Sequence, residues 1–501
     1  MGSTEPAQPL RLLKNPVILL GFALAVMSIF GILLLVLADV FSVGIPPYFG
    51  FFAYIILPFV LILGVLIILV GVLVERWRRR IGGKPMPPLT TVPVFCDRMK
   101  AIGILGVLMV FLAVVSVLSY RTYQFTETVG FCGQVCHTPM KPEFTAYQAS
   151  PHARVACAEC HVGPGASWYV RSKVAGTYQL YAVTFNKFPR PIESPVKRLR
   201  PARETCEKCH WPEKFWGNLF KINTHFASDE KNTPRQIQML IKTGGGSPTT
   251  GLTAGIHWHM NIMNEVWYIA TDRKRQEIPW VKVKDTQGRV TEYLSKESPL
   301  TPDQISKAEK RRMDCIDCHN RPSHVFQPPQ QAVDQALLVG RIDATLPFIK
   351  RQAVEVMSQT YATTESAREG IASGIDAFYF TKYPAFYEQR RATIQAAIAE
   401  IQRLYETNIF PEMKVNWETH PNNLGHFNYP GCFRCHDGQH VSQEGKVIPK
   451  DCNSCHVILG QEEGRKPMAE VKGRPVFRHP VDIGDLKQAS CNLCHTGGPG
   501  P

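Results

Sequence analysis

Three long apolar segments lie near the start of the chain, ahead of a more polar remainder. They are uncharged runs at Val17–Ala38, Tyr48–Val74 and Ala101–Tyr120. Because a helix needs about 20 apolar residues to cross a bilayer, we predict three transmembrane helices in an anchor formed by residues 1–120. The first run is too long for the apolar part of a signal peptide, and no small-residue cleavage site follows it.

Basic residues predict the orientation of this anchor. The stretch 75–100 is strongly basic, whereas the stretch 39–47 contains no Lys or Arg. The positive-inside rule then places the basic stretch and the N-terminus in the cytoplasm and everything after residue 120 outside. We expect a multi-pass protein of the bacterial inner membrane whose larger part is periplasmic. The basic residues are Arg76, Arg78, Arg79, Arg80, Lys84, Arg98 and Lys100.

Helical periodicity recurs twice beyond the anchor. Ala166–Phe188 mixes aromatic and basic side chains, as in a helix that lies among lipid headgroups or in an ordinary aromatic-packed helix. Residues 331–410 hold good helix formers with apolar residues at helical spacing, as in Tyr387–Tyr405. We predict a helical spacer there.

Strand-like alternation marks a small β insertion at about residues 244–295. Val266–Ala270 and Ile278–Lys284 are candidate strands, and Asp285–Arg289 predicts a turn into a further strand at Val290–Tyr293. The last 90 residues are rich in Gly, Pro and Asn, a composition that fits a domain with little regular structure.

Seven motifs that end in histidine use 14 of the 15 cysteines, and all follow the third apolar segment. Six read Cys-x-x-Cys-His, and the first, Cys132–His137, has one extra residue between its cysteines. This pattern attaches haem c through two thioether bonds and a histidine on the iron, so we expect seven covalently bound haem c groups. Cys96 has no assigned role. The motif residues are Cys132, Cys136, His137, Cys157, Cys160, His161, Cys206, Cys209, His210, Cys315, Cys318, His319, Cys432, Cys435, His436, Cys452, Cys455, His456, Cys491, Cys494 and His495.

The motifs form two groups, four within residues 121–330 and three within residues 411–501. Haem faces would supply apolar area that so short a C-terminal segment lacks. The predicted fold class is mainly α, with three N-terminal transmembrane helices, a periplasmic multihaem cytochrome c domain with little regular structure, and the small β insertion.

Nine histidines lie outside the motifs, and all of them fall in the region that holds the motifs. An iron held by histidine on both faces is saturated, which suits electron transfer. His257 and His259 flank a tryptophan, and on a strand they would point the same way, so a metal site is an alternative to haem ligation. The candidates for distal ligands are His152, His225, His257, His259, His324, His420, His426, His440 and His479.

The formal charge of +14 does not indicate nucleic-acid binding. The basic residues are spread through the chain, and haem propionates would offset much of the excess. We therefore expect no nucleic-acid partner.

Residues 100–330 resemble the NapC/NirT/NrfH family of membrane quinol dehydrogenases. The likeness is carried by Cys136-His137-Thr138-Pro139-Met140, by Ser150-Pro151-His152 ahead of the second motif, and by His324 five residues after the fourth. The family has one transmembrane helix and four haems. The two extra spans and three C-terminal motifs give a layout similar to seven-haem inner-membrane cytochromes of metal-reducing bacteria.

The resemblance implies oxidation of menaquinol at the periplasmic face and electron transfer to periplasmic multihaem c-type cytochromes. It implies a quinol site near the first haem, with Lys173 in contact with the quinol and Met140 as an axial ligand. Met140 lies one residue further from His137 than is usual in the family, so either could bind that iron. His152 and His324 match family positions that reach across to other haems.

The acid that the family often has near its quinol site is missing, because Gln179 occupies that neighbourhood. Glu143 or water would be substitutes. Two other functions stay open at this point: a passive relay subunit of a larger membrane complex, and a multihaem oxyanion reductase. Three roles stay open for the two extra spans: docking a partner subunit, forming a homo-oligomer, and shaping the quinol pocket.

Overall fold

The structure, a computed structural model, describes residues 15–40, 57–80, 121, 124–163, 165–196, 201–211, 217–244, 255–260, 264–464, 466–469 and 477–499. The chain forms two compact units, Met1–Phe131 with Cys157–Tyr178 and Cys132–Ala156 with Gln179–Pro501. The third predicted span, Ala101–Tyr120, and Cys96 lie outside the described residues.

Two long apolar helices form most of the described part of the first unit. α1 (Pro16–Val40) includes the whole of the first predicted span, and α2 (Leu57–Arg80) overlaps the second. Their backbones approach closely, since a Cβ atom on Gly21 would lie 2.7 Å from the carbonyl oxygen of Gly64, and glycine permits such contacts. No helix among the described residues is long and apolar enough to cross a membrane.

The other helices of the described residues are mostly short. They are α3 (His137–Gln148), α4 (Cys157–His161), α5 (Ala166–Thr184), α6 (Ala202–Cys206), α7 (Pro302–Lys307), α8 (Cys315–Cys318), α9 (Pro329–Leu338), α10 (Ile349–Met357), α11 (Thr364–Lys382) and α12 (Pro384–Asn408). The helix predicted over Ala166–Phe188 is observed as α5.

Helices α9–α12 surround an apolar core in the second unit. Ile349, Ile371 and Ile394 have no solvent exposure there, which is the burial that the helical spacing of apolar residues predicted. The Thr363 hydroxyl accepts a hydrogen bond from the backbone N–H of Ser366 and so caps the start of α11. The predicted helical segment is therefore a packed bundle.

Nine strands form two antiparallel sheets within the described residues. They are β1 (Leu219–Phe226), β2 (Pro234–Ile241), β3 (Glu265–Ile269), β4 (Trp280–Lys284), β5 (Val290–Ser295), β6 (Arg311–Arg312), β7 (His440–Ser442), β8 (His456–Glu463) and β9 (Lys466–Ala469). One sheet has the order β1-β2-β8-β9 and the other β6-β3-β4-β5-β7. The strands predicted from alternation are β3, β4 and β5, whereas β1 and β2 were not predicted.

Each sheet combines strands that are distant in sequence. β8 pairs with β2 and β7 pairs with β5, so the segment with the last three motifs completes sheets begun more than 100 residues earlier.

The His257-Trp258-His259 segment is not a strand. It forms a 3-10 turn over Ile256–Met260, so the expectation that both histidines point the same way is wrong. Residues two apart on a 3-10 turn differ in direction by roughly 240°, and the two rings face different neighbours.

Candidate haem and quinol site

Short helical turns carry the seven motifs. The second and fourth motifs begin α4 and α8, and the third starts at the last residue of α6. The last three lie in the 3-10 turns Gly431–Arg434, Cys452–Ser454 and Cys491–Leu493. In several, the backbone N–H of the motif histidine donates to the carbonyl of the first cysteine, at 2.8 Å in the third and fourth motifs. Each motif cysteine is at least partly exposed, so two thiols beside each motif histidine are accessible for the thioether bonds of haem attachment.

The first motif absorbs its extra residue in a π-helical turn over Phe131–Val135. A π turn takes one residue more than an α turn, which keeps Cys132 and Cys136 about one turn apart. The turn packs tightly, because a Cβ atom on Gly133 would lie 2.2 Å from the Phe144 ring.

Five motif histidines each face a histidine from outside the motifs. Two imidazoles that bind one metal from opposite sides, with metal–nitrogen bonds of roughly 2 Å, have ring centres about 6 Å apart. The observed separations match this spacing. They are 6.1 Å for His152–His210, 6.4 Å for His257–His319, 5.8 Å for His259–His436, 6.0 Å for His426–His456 and 6.1 Å for His479–His495.

Backbone carbonyls orient several of these rings. The Nδ1 atom of His259 lies 2.8 Å from the Ile256 oxygen, and that of His479 lies 2.9 Å from the Val481 oxygen. A carbonyl can only accept, so Nδ1–H donates and Nε2 is the nitrogen that can bind a metal. His152, His257 and His436 make the same kind of contact, to Pro322, Thr243 and Pro449.

Four candidate histidines have other surroundings. His324 Nδ1 lies 2.9 Å from the Glu143 carbonyl, and His420 Nε2 is buried without a hydrogen-bond partner among the described residues. His225 Nδ1 contacts Asp334 at 3.2 Å. His440 contacts Asp437 through Nδ1 and the Ile278 carbonyl through Nε2, at 2.9 Å and 2.7 Å, so both nitrogens are occupied and we do not assign it to an iron.

Lys173 lies in a polar cluster of the first unit. Its Nζ atom forms an ion pair with Glu127 and lies 3.3 Å from Thr126 Oγ1. It also stands 5.3 Å from the centre of the Tyr169 ring. The second carboxylate oxygen of Glu127 is buried without a partner among the described residues. Sequence reasoning missed this acid, while Gln179, where an acid was sought, is exposed on α5.

A cavity of about 450 Å³ opens beside the first motif in the second unit. Met413 lines it and is 2% exposed, whereas Met140, the predicted axial ligand, is not among its lining residues. Met413 therefore joins His137 and Met140 as a candidate ligand, although its distance along the chain left no sequence signal. The walls also include His137, Lys141, Phe144, Phe410 and Glu412.

Glu412 at this cavity is held by the start of α11. Burial raises the pKa of the Glu412 carboxyl, but hydrogen bonds from the Thr364 N–H and hydroxyl lower it. The hydrogen bonds outweigh the burial, so the pKa lies below its usual value. No group of three or more His, Cys, Asp or Glu within the described ranges is arranged to hold a metal ion.

Comparison with known proteins gives two matches. Residues 96–204 match the model of the NapC/NirT cytochrome c family, N-terminal region. Over 501 residues, the chain is 45% identical to the cytochrome c-type protein ImcH of Geobacter sulfurreducens, and the alignment covers 98% of each chain. No solved structure matches the chain.

Proposed function

Because the chain belongs to the family of the cytochrome c-type protein ImcH, we propose that it is a quinol dehydrogenase of the bacterial inner membrane. Its NapC/NirT region and its full-length relative identify it as a multihaem c-type cytochrome of electron transfer. In the proposed reaction, it oxidises menaquinol at the periplasmic face and supplies electrons to periplasmic multihaem c-type cytochromes.

The residues of the seven motifs fit covalently bound haem c. When bound, haem c supplies one-electron redox chemistry. The paired cysteines would hold each group, and the adjacent histidines would bind from one side. The second side would be closed in five sites by His152, His257, His259, His426 and His479.

The spacing of the five histidine pairs carries the proposal. Ring centres 5.8–6.4 Å apart suit two imidazoles on one iron. Ligation on both faces leaves no coordination position for a substrate. This favours electron transfer over reduction of an oxyanion at these five sites.

Lys173 and Glu127 would bind the quinol and accept one of its protons. Menaquinol loses two protons and two electrons when it becomes menaquinone. The Lys173 ammonium would donate a hydrogen bond to a quinol oxygen, and Glu127 would accept one hydroxyl proton, while the second proton leaves to water. One carboxylate oxygen of Glu127 is buried without a hydrogen-bond partner among the described residues, which supports this role because that oxygen can accept a hydrogen bond from a quinol hydroxyl.

An exposed apolar stripe along α5 and the residue that follows it supports a position at the lipid surface. Val174, Tyr178 and Phe185 are 65%, 66% and 61% exposed, and Tyr181 lies between them at helical spacing. Aromatic and aliphatic side chains in a stripe are typical of a helix in the headgroup region. Lys187, which contacts the Tyr181 hydroxyl at 2.8 Å, could remain among the headgroups. The stripe favours the first of the two interpretations of this helix.

Quinol-driven reduction of the haems tests the proposal. We expect oxidised protein in detergent to be reduced by a menaquinol analogue without oxygen, followed at the haem α-band. Loss of one charged hydrogen bond in Lys173→Ala should slow reduction at least about tenfold, and loss of the proton acceptor in Glu127→Gln about 100-fold.

Lys187→Ala is the matched control, since it removes a lysine of the same segment that lies outside the polar cluster. It should leave the rate unchanged. If quinol does not reduce the native protein although dithionite reduces it fully, the quinol proposal is wrong and a relay subunit is the better description.

A further inference from the structure

The 3-10 turn Ile256–Met260 carries two histidines that face different haem motifs. His257 stands 6.4 Å from His319 with the two rings 8° from parallel, and His259 stands 5.8 Å from His436 with the rings at 85°. Side chains two residues apart on such a turn differ in direction by roughly 240° about its axis. The two rings therefore point to different motifs and would not bind the same iron.

Hydrogen bonds to backbone carbonyls orient both rings for binding an iron. His257 Nδ1 donates to the Thr243 carbonyl at 2.5 Å, and His259 Nδ1 donates to the Ile256 carbonyl at 2.8 Å. In each ring, Nε2 is therefore the nitrogen that can bind a metal.

The two motifs that these histidines face are tied to each other by Arg434. This residue lies between the cysteines of the fifth motif, and its guanidinium donates to the carbonyl of Asp317, which lies between the cysteines of the fourth, at 2.7 Å. A second donation goes to the Arg275 carbonyl at 2.9 Å. Asn423 also donates to the Asp317 carbonyl, at 3.0 Å. The fourth and fifth motifs are thus neighbours, independently of the histidine pairs.

The fourth motif is the last of the first group, and the fifth is the first of the C-terminal group. We propose that His257 and His259 are distal ligands of two different haems, those at Cys315–His319 and Cys432–His436, and that this turn is the junction between the two haem groups. The inference rests on the proposed function for its direction of electron flow. His257 with His319 and His259 with His436 would each hold one haem iron, and the two groups would supply one-electron transfer between neighbouring sites without breaking a bond.

Spin-state counting by electron paramagnetic resonance tests the assignment. We expect His257→Ala and His259→Ala each to convert one low-spin haem to high spin, and the double variant to convert two. Added imidazole should restore the low-spin form by occupying the vacated side. Two high-spin haems per molecule of the double variant are the decisive result, because a single iron shared by both histidines would give only one.

The matched control is His440→Gln, whose ring is bound on both nitrogens within the protein. It should produce no high-spin haem. The number of haems, measured by mass spectrometry, identifies any alanine variant that loses a haem. Such a variant is replaced in the experiment by His257→Met or His259→Met, whose side chain can still bind the iron. For them, a methionine-ligand spectrum from one haem each is expected, and an unchanged spectrum would overturn the assignment.

Electron flow across the junction is measured without quinol. Photochemical injection of electrons should equilibrate over all haems in the native protein and more slowly in His257→Ala and His259→Ala, because each loss of a ligand shifts one junction potential. Equal rates in the native protein and both variants would contradict the junction. Failure of quinol oxidation alone would leave these results intact, so the two proposals fail separately.

Discussion

At the scale of single residues, two histidines four positions apart have different surroundings. His436 faces His259, while His440, four residues later, is 1% exposed and hydrogen-bonded at both nitrogens. Because both of its partners are acceptors, both nitrogens of His440 must donate. Burial lowers the pKa of His440, but Asp437, the Ile278 carbonyl and the charge of Glu297 raise it, so the net pKa lies above the ordinary value.

His440→Gln should therefore destabilise the protein in a pH-dependent way. The raised pKa means that the contribution of His440 is complete below its unfolded pKa of about 6.5 and is lost as pH rises through its folded pKa. We expect the native protein to have a higher thermal midpoint than the variant, and we expect this difference to be smaller at pH 9 than at pH 6. An equal difference at both pH values would argue against a charged His440.

At the scale of elements, helical segments formed where periodicity predicted them, and a local irregularity was resolved by a local turn. The bundle α9–α12 buries its isoleucines as the spacing requires. The first motif keeps its cysteines one turn apart because the π-helical turn takes up the extra residue. That turn leaves no room at Gly133, where the Phe144 ring lies against the backbone.

Gly133→Val should disturb the first motif alone. A side chain at this position would overlap the Phe144 ring, and such overpacking costs about 1–3 kcal/mol. We expect slower reduction by quinol, with unchanged signals from the five haems of the paired histidines. Adding Phe144→Ala should restore the rate, and a double variant as slow as the single one would show that the close contact is not the cause.

At the scale of the whole molecule, the second unit is bound together by sheets with distant strands. Gln238 and Met239 of β2 pair with Gly460 and Ile458 of β8. Strand pairing supplies backbone hydrogen bonds to both partners, so the stability of the β1–β2 hairpin depends on the C-terminal segment.

Ile458→Pro should expose β2 as well as its own strand. Proline has no N–H to donate and fits poorly inside a sheet. We expect faster amide exchange in Pro234–Ile241, more than 200 residues away in sequence, by hydrogen-exchange mass spectrometry. Ile458→Val is the control and should leave the exchange unchanged. Full protection of β2 in the proline variant would contradict this dependence.

The sequence by itself determined what depends on local spacing. The motifs, the helix at Ala166–Thr184, the bundle and strands β3–β5 follow from periodicity and from contacts within a few residues. The family resemblance at Cys136–Met140 and His152 is likewise a matter of short motifs, and the NapC/NirT match at residues 96–204 confirms it.

Only the tertiary structure decided which distant residues meet. No local pattern indicates that His259 faces His436, that Glu127 pairs with Lys173, or that Met413 lines the cavity beside His137. Strands β1 and β2 were not predicted, and β2 is paired on one side by β8 from the far end of the chain. Spacing along a chain specifies local hydrogen bonds, whereas these contacts depend on how the whole chain packs.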